Sequence, residues 1–237
     1  MSSRHAVIIG GSSGIGLATA RRLLALDYKV TITGRDAARL SAAKAASPAL
    51  AAVALDAAAS EGLPAAFARI GALDHLVLAL GSGKGGGPFA SVSLADVRSG
   101  FEEKVYAHFA AAQAALPHLS QGGSITFVSA VSAHAAMPGT AGLGAANAAV
   151  AALVPILAAE LKPIRVNGVS PGVIDTPWWD FLPKDQRTAV FADFARRTPV
   201  GRVGQADDVA RAIAFLIEDG FMSGQTVICD GGISLAS

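Results

Sequence analysis

Short apolar runs alternate with helix-length segments along the whole chain, and this rhythm narrows the fold more than any other feature. The runs are AVIIG (6–10), KVTIT (29–33), LAAVAL (50–55), LDHLVLAL (73–80), SITFVS (124–129), IRVNGVS (164–170) and TVICD (226–230). They are rich in Val, Ile and Leu and mostly continuous, the pattern of parallel strands covered on both faces. Helical patterns fill 14–26, 36–46, 60–69, 101–119, 143–161 and 206–219. This order predicts right-handed βαβ units in one α/β domain, 1–237, with a doubly wound parallel sheet of about seven strands and helices on both faces. The stretch 176–199 breaks the rhythm with two Trp and three Phe. It is long for a connection and reads as a lid over a site or as a helical pair capping the core.

Of the 237 residues, 52% are hydrophobic, enough for a sizeable core. Nineteen basic and eighteen acidic residues give a net charge of +1 with no basic block, which argues against nucleic acid as a partner. The single cysteine, Cys229, excludes an internal disulfide framework and is expected to be buried and inert. The histidines show no metal-ligand spacing, so no metal site is expected. Residues 119–159 carry no Asp, Glu, Lys or Arg, but glycines and Pro138 punctuate them. We read a strand and an Ala-rich buried helix there, not a membrane span, and expect a cytoplasmic protein. Pro155 should kink that helix.

Directly after the first apolar run stands Gly10-Gly11-Ser12-Ser13-Gly14-Ile15-Gly16. Glycines there permit a tight turn, let backbone approach a pyrophosphate, and pack helix on strand, while the helix N-terminus offers N–H groups to phosphate. The second run ends in Gly34-Arg35-Asp36. A carboxylate at this strand end selects NAD by binding the ribose 2′-hydroxyl, whereas an arginine suits the 2′-phosphate of NADP. Gly34 stands in the acid's place and Arg35 follows, which favours NADP(H), and Asp36 also suits a helix N-cap.

With these motifs the chain resembles the short-chain dehydrogenase/reductase family over essentially its full length, and the resemblance implies a Rossmann-type fold. Gly10, Gly14 and Gly16 match the family's T-G-x-x-x-G-x-G turn, with Ile9 in place of Thr. Asp56 resembles the family's adenine-binding acid, and Gly81 follows the fourth strand where the family has N-N-A-G. Pro171, Gly172, Val173 and Thr176 resemble its nicotinamide-side loop. Arg202-Val203-Gly204 and Asp230-Gly231-Gly232 resemble its C-terminal elements. The family's oligomers imply a homodimer or homotetramer.

The resemblance fails at the chemistry. The family's proton-donating Tyr and its Lys fall on Leu143 and Asn147, its Ser on Ala130 and its Asn on Lys104. Three residues are candidate replacements. Lys104 is an acid or oxyanion clamp, or a surface lysine. Ser132 polarises a carbonyl, or is a turn serine. His134 titrates in a useful range, or turns outward on its loop. Asn147 binds the nicotinamide ribose, or is a buried amide satisfying its own helix. Trp178 and Trp179 mark an apolar pocket or lid packing, and Lys84 reaches the pocket mouth or belongs to a mobile solvated loop. The expected activity is hydride transfer between NADP(H) and a small apolar carbonyl-like molecule: an aldehyde, ketone, quinone or imine. A non-redox isomerase, cyclase or lyase on the same scaffold, and an inactive NADPH-binding sensor, are the alternatives.

Overall fold

The computed structural model describes residues 3–236. The chain runs through β1 (His5–Ile9), α1 (Gly14–Ala25), β2 (Lys29–Gly34), α2 (Ala37–Ala46), β3 (Ala51–Ala54), α3 (Leu63–Ile70) and β4 (Leu73–Leu78). Then come α4 (Leu94–Phe101), a π-helical turn at Glu102–Tyr106, α5 (Ala107–Ala115), β5 (Leu119–Val128) and α6 (Ala141–Glu160). β6 (Arg165–Pro171), β7 (Ile174–Asp175), α7 (Lys184–Arg197), β8 (Gly204–Gln205), α8 (Ala206–Glu218) and β9 (Thr226–Cys229) complete it. Seven strands form one parallel sheet in the order β3-β2-β1-β4-β5-β6-β9, and β7 and β8 pair separately. The α/β expectation is therefore met.

Continuous apolar strands need cover on both faces, and two packed clusters supply it. Leu23, Leu40, Val209 and Ile213 from α1, α2 and α8 pack on Ile8, Val30 and Ile32. On the other face Phe67, Ala111, Val150 and Val154 from α3, α5 and α6 pack on Val7, Leu76 and Phe127. Alanines on α5 let it approach the sheet closely: Ala107, Ala111, Ala112 and Ala115 are all buried. Asp36 caps α2 by accepting from the Arg39 backbone N–H at 3.0 Å.

Local structure departs from expectation in three places. The helix expected over 101–119 is instead the end of α4, a π turn and α5, because an inserted residue at Glu102–Tyr106 shifts the 3.6 period. α6 runs through Pro155 without a break, with the proline on its exposed side. Cys229 is half-buried, its thiol facing Asp208 O at 3.7 Å, and burial raises its pKa. By length and composition α6 could cross a membrane, with a mean hydropathy of 1.8. Gly142, Ala146, Asn147, Val150 and Val154 are nevertheless buried inside this domain.

At the base of the sheet His75 donates or accepts at Ser124 Oγ (2.9 Å), and its Nε2 is buried with no partner. Burial, reinforced by Arg4 and opposed by Asp74, pushes its pKa down to about 4. The ring is neutral in the fold and takes a proton more readily once unfolded. Its contribution to stability is thus present above about pH 6.5 and is lost as pH falls toward 4. Between pH 7 and pH 5 the protein should lose about 2 kcal/mol through this residue. Urea midpoints at the two pH values measure the total loss, to which buried His108 and His5 also contribute, and the smaller slope of His75→Gln isolates the share of His75.

Candidate active site

The strand order reverses between β1 and β4, so their following segments diverge and leave a crevice at the carboxyl edge of the sheet. A cavity of about 680 Å³ occupies that edge. All fourteen residues expected to hold the cofactor line it, from Gly10 in the first turn to Thr176 beyond β7.

The glycine turn shows why the side chains are missing there. At Gly10 φ is +82° and an added Cβ would stand 2.5 Å from Ala79 O. At Gly16 a Cβ would stand 2.2 Å from Gly10 O, so α1 meets the turn backbone to backbone. Ser13 begins α1 without a side-chain capping bond, leaving its hydroxyl and the first helical N–H groups to face the cavity.

At the cavity's other end from the lid, a Cβ at Gly34 would sit 2.8 Å from Ser12 Oγ. A side chain in that place would require Ser12 to turn aside. Arg35 and Arg39 both line this end, Arg39 Nε lying 3.5 Å from the Asp36 carboxylate that caps α2. Arg39 was not anticipated, although it follows Arg35 by four residues. Asp56 lines the same end and accepts from Ala58 N at 3.1 Å.

At the lid end, Ala130, Ser132, Leu143, Asn147 and Lys104 share the cavity wall. Asn147 Nδ2 donates to Ser132 Oγ (3.2 Å) and Leu143 O (2.9 Å), and its Oδ1 is buried without a partner. Ser132 Oγ, already accepting from Asn147, keeps its own proton free to donate. Lys104 is buried, and Nζ donates to Leu80 O (2.9 Å), Val128 O (3.0 Å) and Ser129 O (3.4 Å). Three carbonyls thus take its three protons, tying the ends of β4 and β5 together. Burial pushes the ammonium down to about 7.

The expectation for His134 is corrected. The 3-10 turn Val131–Ala133 carries it to the surface, where it is exposed and outside the cavity wall. Lys84 is likewise outside, 3.7 Å from Asp96 in its loop.

The segment 176–199 brings aromatic rings to the rim. Trp178 and Trp179 meet edge to face at 4.8 Å, and Trp179 packs on Phe191 and Phe194. Trp178, Trp179, Phe194 and Met137 face the cavity, so the tryptophans serve both pocket and lid packing. Arg187 anchors the segment through the Asp175 carboxylate, Asp180 Oδ1 (3.0 Å) and Thr176 O (3.1 Å), beside the Phe191 ring. Trp178 Nε1 reaches Ser82 O at 3.4 Å across the mouth.

Residues 10–234 match the family model described as enoyl-(acyl carrier protein) reductase. The chain is 34% identical to cis-4-hydroxycyclohexanecarboxylate dehydrogenase of Sinomonas cyclohexanicum, over 98% of this chain and 96% of that protein. It is 30% identical to carbonyl reductase family member 4 of Xenopus tropicalis, over 96% and 97% respectively. Its fold superposes with a TM-score of 0.87 on a small-chain dehydrogenase solved in complex with NADPH, at 31% identity and covering 99% of this chain and 100% of that one.

The glycine contacts make a direct prediction. Gly16→Ala should lower stability by about 1–3 kcal/mol, because α1 must move off the turn. Gly62→Ala, which meets nothing within 4 Å, should change it by less than about 0.5 kcal/mol. Urea denaturation of the two variants tests the contrast.

Proposed function

This chain belongs to the short-chain dehydrogenase/reductase family, and we propose that it is an NADP(H)-dependent oxidoreductase acting on an apolar carbonyl-like substrate with a reworked active site. The observation that carries the reading is a cavity joining a phosphate-type cradle to an aromatic pocket whose wall holds the Ser132 hydroxyl against Asn147.

The residues present fit the cofactor. The glycine turn and the start of α1 would hold the pyrophosphate, and Asp56 the adenine. Arg35 and Arg39 would hold the 2′-phosphate, where position 34 carries no acid. Asn147 Oδ1, a buried acceptor without a donor, suits a ribose hydroxyl. Thr176 and the Pro171–Val173 segment close the nicotinamide end. When bound, NADP(H) supplies the hydride that converts a C=O or C=N group to its reduced form.

The family's Tyr, Lys, Ser and Asn positions carry Leu143, Asn147, Ala130 and Lys104, so the protein's part in the chemistry differs. Ser132 donates its hydroxyl proton as a hydrogen bond to the substrate oxygen, and Asn147 fixes that hydroxyl's direction. Water supplies the proton that finally neutralises the oxygen. Leu143, Met137, Trp179 and Phe194 hold an apolar substrate and exclude bulk solvent. General acid–base catalysis is typically worth about 10²–10⁴-fold. Fixing two reactants at reacting distance can supply about 7–11 kcal/mol. Positioning therefore outweighs the lost acid, and acceptors that are already electrophilic profit most.

A second copy of the chain is proposed to cover α6, where only five residues are buried in the domain and Ile156 is 58% exposed, beside exposed Tyr106 and Phe109 of the preceding helical stretch. A cytoplasmic location goes with this reading. Light scattering should give a dimer or tetramer, and Ile156→Glu should shift it toward monomer. A monomeric wild type contradicts the proposal.

Two assays test the function. Arg35→Ala/Arg39→Ala should weaken NADPH binding about 10–100-fold and leave NADH binding nearly unchanged, since hydrogen bonds to charged groups contribute about 1.5–3 kcal/mol. NADPH consumption should appear with at least one of the aldehyde, ketone, quinone or imine classes, and Ser132→Ala should lower kcat about 10²-fold without weakening cofactor binding. Bound NADPH that no class consumes would favour a sensor, and product without a change in nicotinamide absorbance a non-redox enzyme.

A further inference from the structure

Lys104 is a buried cation in the cavity wall, 7% exposed, and among the described residues no carboxylate lies within ion-pair distance of it. Its protons rest on three neutral carbonyls, which solvate the charge without cancelling it. The surrounding elements bring few titratable groups. On its own turn, the Glu103 carboxylate accepts from Ser82 Oγ at 2.8 Å, at the loop after β4. On α5, His108 sets Nδ1 against Lys104 O (2.7 Å) and Nε2 against Leu78 O (3.1 Å), while burial together with Lys104 pushes its pKa down to about 3. β5 offers carbonyls and Ser129, and α6 offers the neutral amide of Asn147. Asp175 is paired with Arg187. Arg35 and Arg39 lie at the opposite end of the cavity.

Resting on the proposed cofactor, we infer that Lys104 makes the site distinguish the two oxidation states of the nicotinamide, favouring NADPH over NADP⁺. The oxidised ring carries a positive charge and the reduced ring none. The adenine, ribose and phosphate contacts are common to both forms and cancel in their ratio. A fixed ammonium in the wall of the cavity that would receive the nicotinamide would repel only the oxidised ring. The interior attenuates the repulsion less than water does, and it should give about a tenfold preference or more. Because burial brings the ammonium's pKa down to about 7, raising the pH discharges Lys104 and removes the preference. The 2′-phosphate, which both forms share, does not contribute to this change. The direction matches a reductase that must take up NADPH and release NADP⁺.

The test is calorimetric binding of NADPH and of NADP⁺ to the full chain at about pH 6 and about pH 8.5, for wild type and Lys104→Met. The preference for NADPH should be about tenfold or more at the lower pH and fall several-fold at the higher one. Lys104→Met should bind both forms with similar affinity at both pH values, chiefly by gaining affinity for NADP⁺. If the variant fails to fold, the wild-type pH series decides alone. A wild-type ratio near one at about pH 6, or one unchanged by pH or by the substitution, overturns the role of Lys104 and leaves the cofactor reading standing. Failure of both forms to bind overturns the cofactor reading and this inference with it.

Discussion

Two backbone contacts at the first turn set the geometry on which the site depends. Gly16 lies against Gly10 O, and Gly10 against Ala79 O, at separations no Cβ tolerates. They draw α1 onto the sheet where β1 and β4 part, so the helix N-terminus opens toward the crevice. The other contributions to the site arrive by strand order: the ends of β2 and β3 at one side, and those of β5 and β6 with the aromatic segment at the other. A bulkier turn would hold α1 away and leave no cradle, however well the core packed.

The end of the cavity beside the aromatic segment has a different character. Leucine and alanine leave an apolar wall, and the polar groups that remain are few and constrained. Asn147 gives both amide protons to neighbours, which aims the Ser132 hydroxyl and leaves Oδ1 as an acceptor. Lys104 donates to three carbonyls and holds together the ends of the two central strands. These arrangements support a site that works by placement and charge in place of a strong proton donor. They also explain a pocket walled by Trp179, Phe194 and Met137, which suits uncharged substrates.

Much of the fold was legible because continuous Val, Ile and Leu runs have few alternatives to buried parallel strands. Each of the seven expected runs falls on a strand of the sheet. The short α4 escaped notice, its Leu94–Phe101 segment being mostly solvent-facing and interrupted by Gly100. The π turn is not legible either, because the Ala-rich run that follows it is apolar on most sides and masks the shift in hydrophobic phase. At the site, sequence separation served well where backbone does the binding, as in the glycine turn. It served poorly where side-chain direction decides. Nothing in the sequence shows that Lys104 reaches carbonyls from two strands, or that one 3-10 turn sends His134 to solvent while Ser132 stays in the wall. Arg39 was within reach, because a residue four positions beyond Arg35 on a capped helix could have been placed near it.

A site of this kind should carry out hydride transfer without a tyrosine acid. The most direct measurement is isotopic: NADPH deuterated at nicotinamide C4 is incubated with the protein and an electrophilic aldehyde, ketone or imine, and the reduced product is analysed by mass spectrometry. The account predicts deuterium bound to carbon in the product, transferred from one face of the nicotinamide only. A product that forms without the label, or no product from any of these classes while NADPH is demonstrably bound, would contradict it.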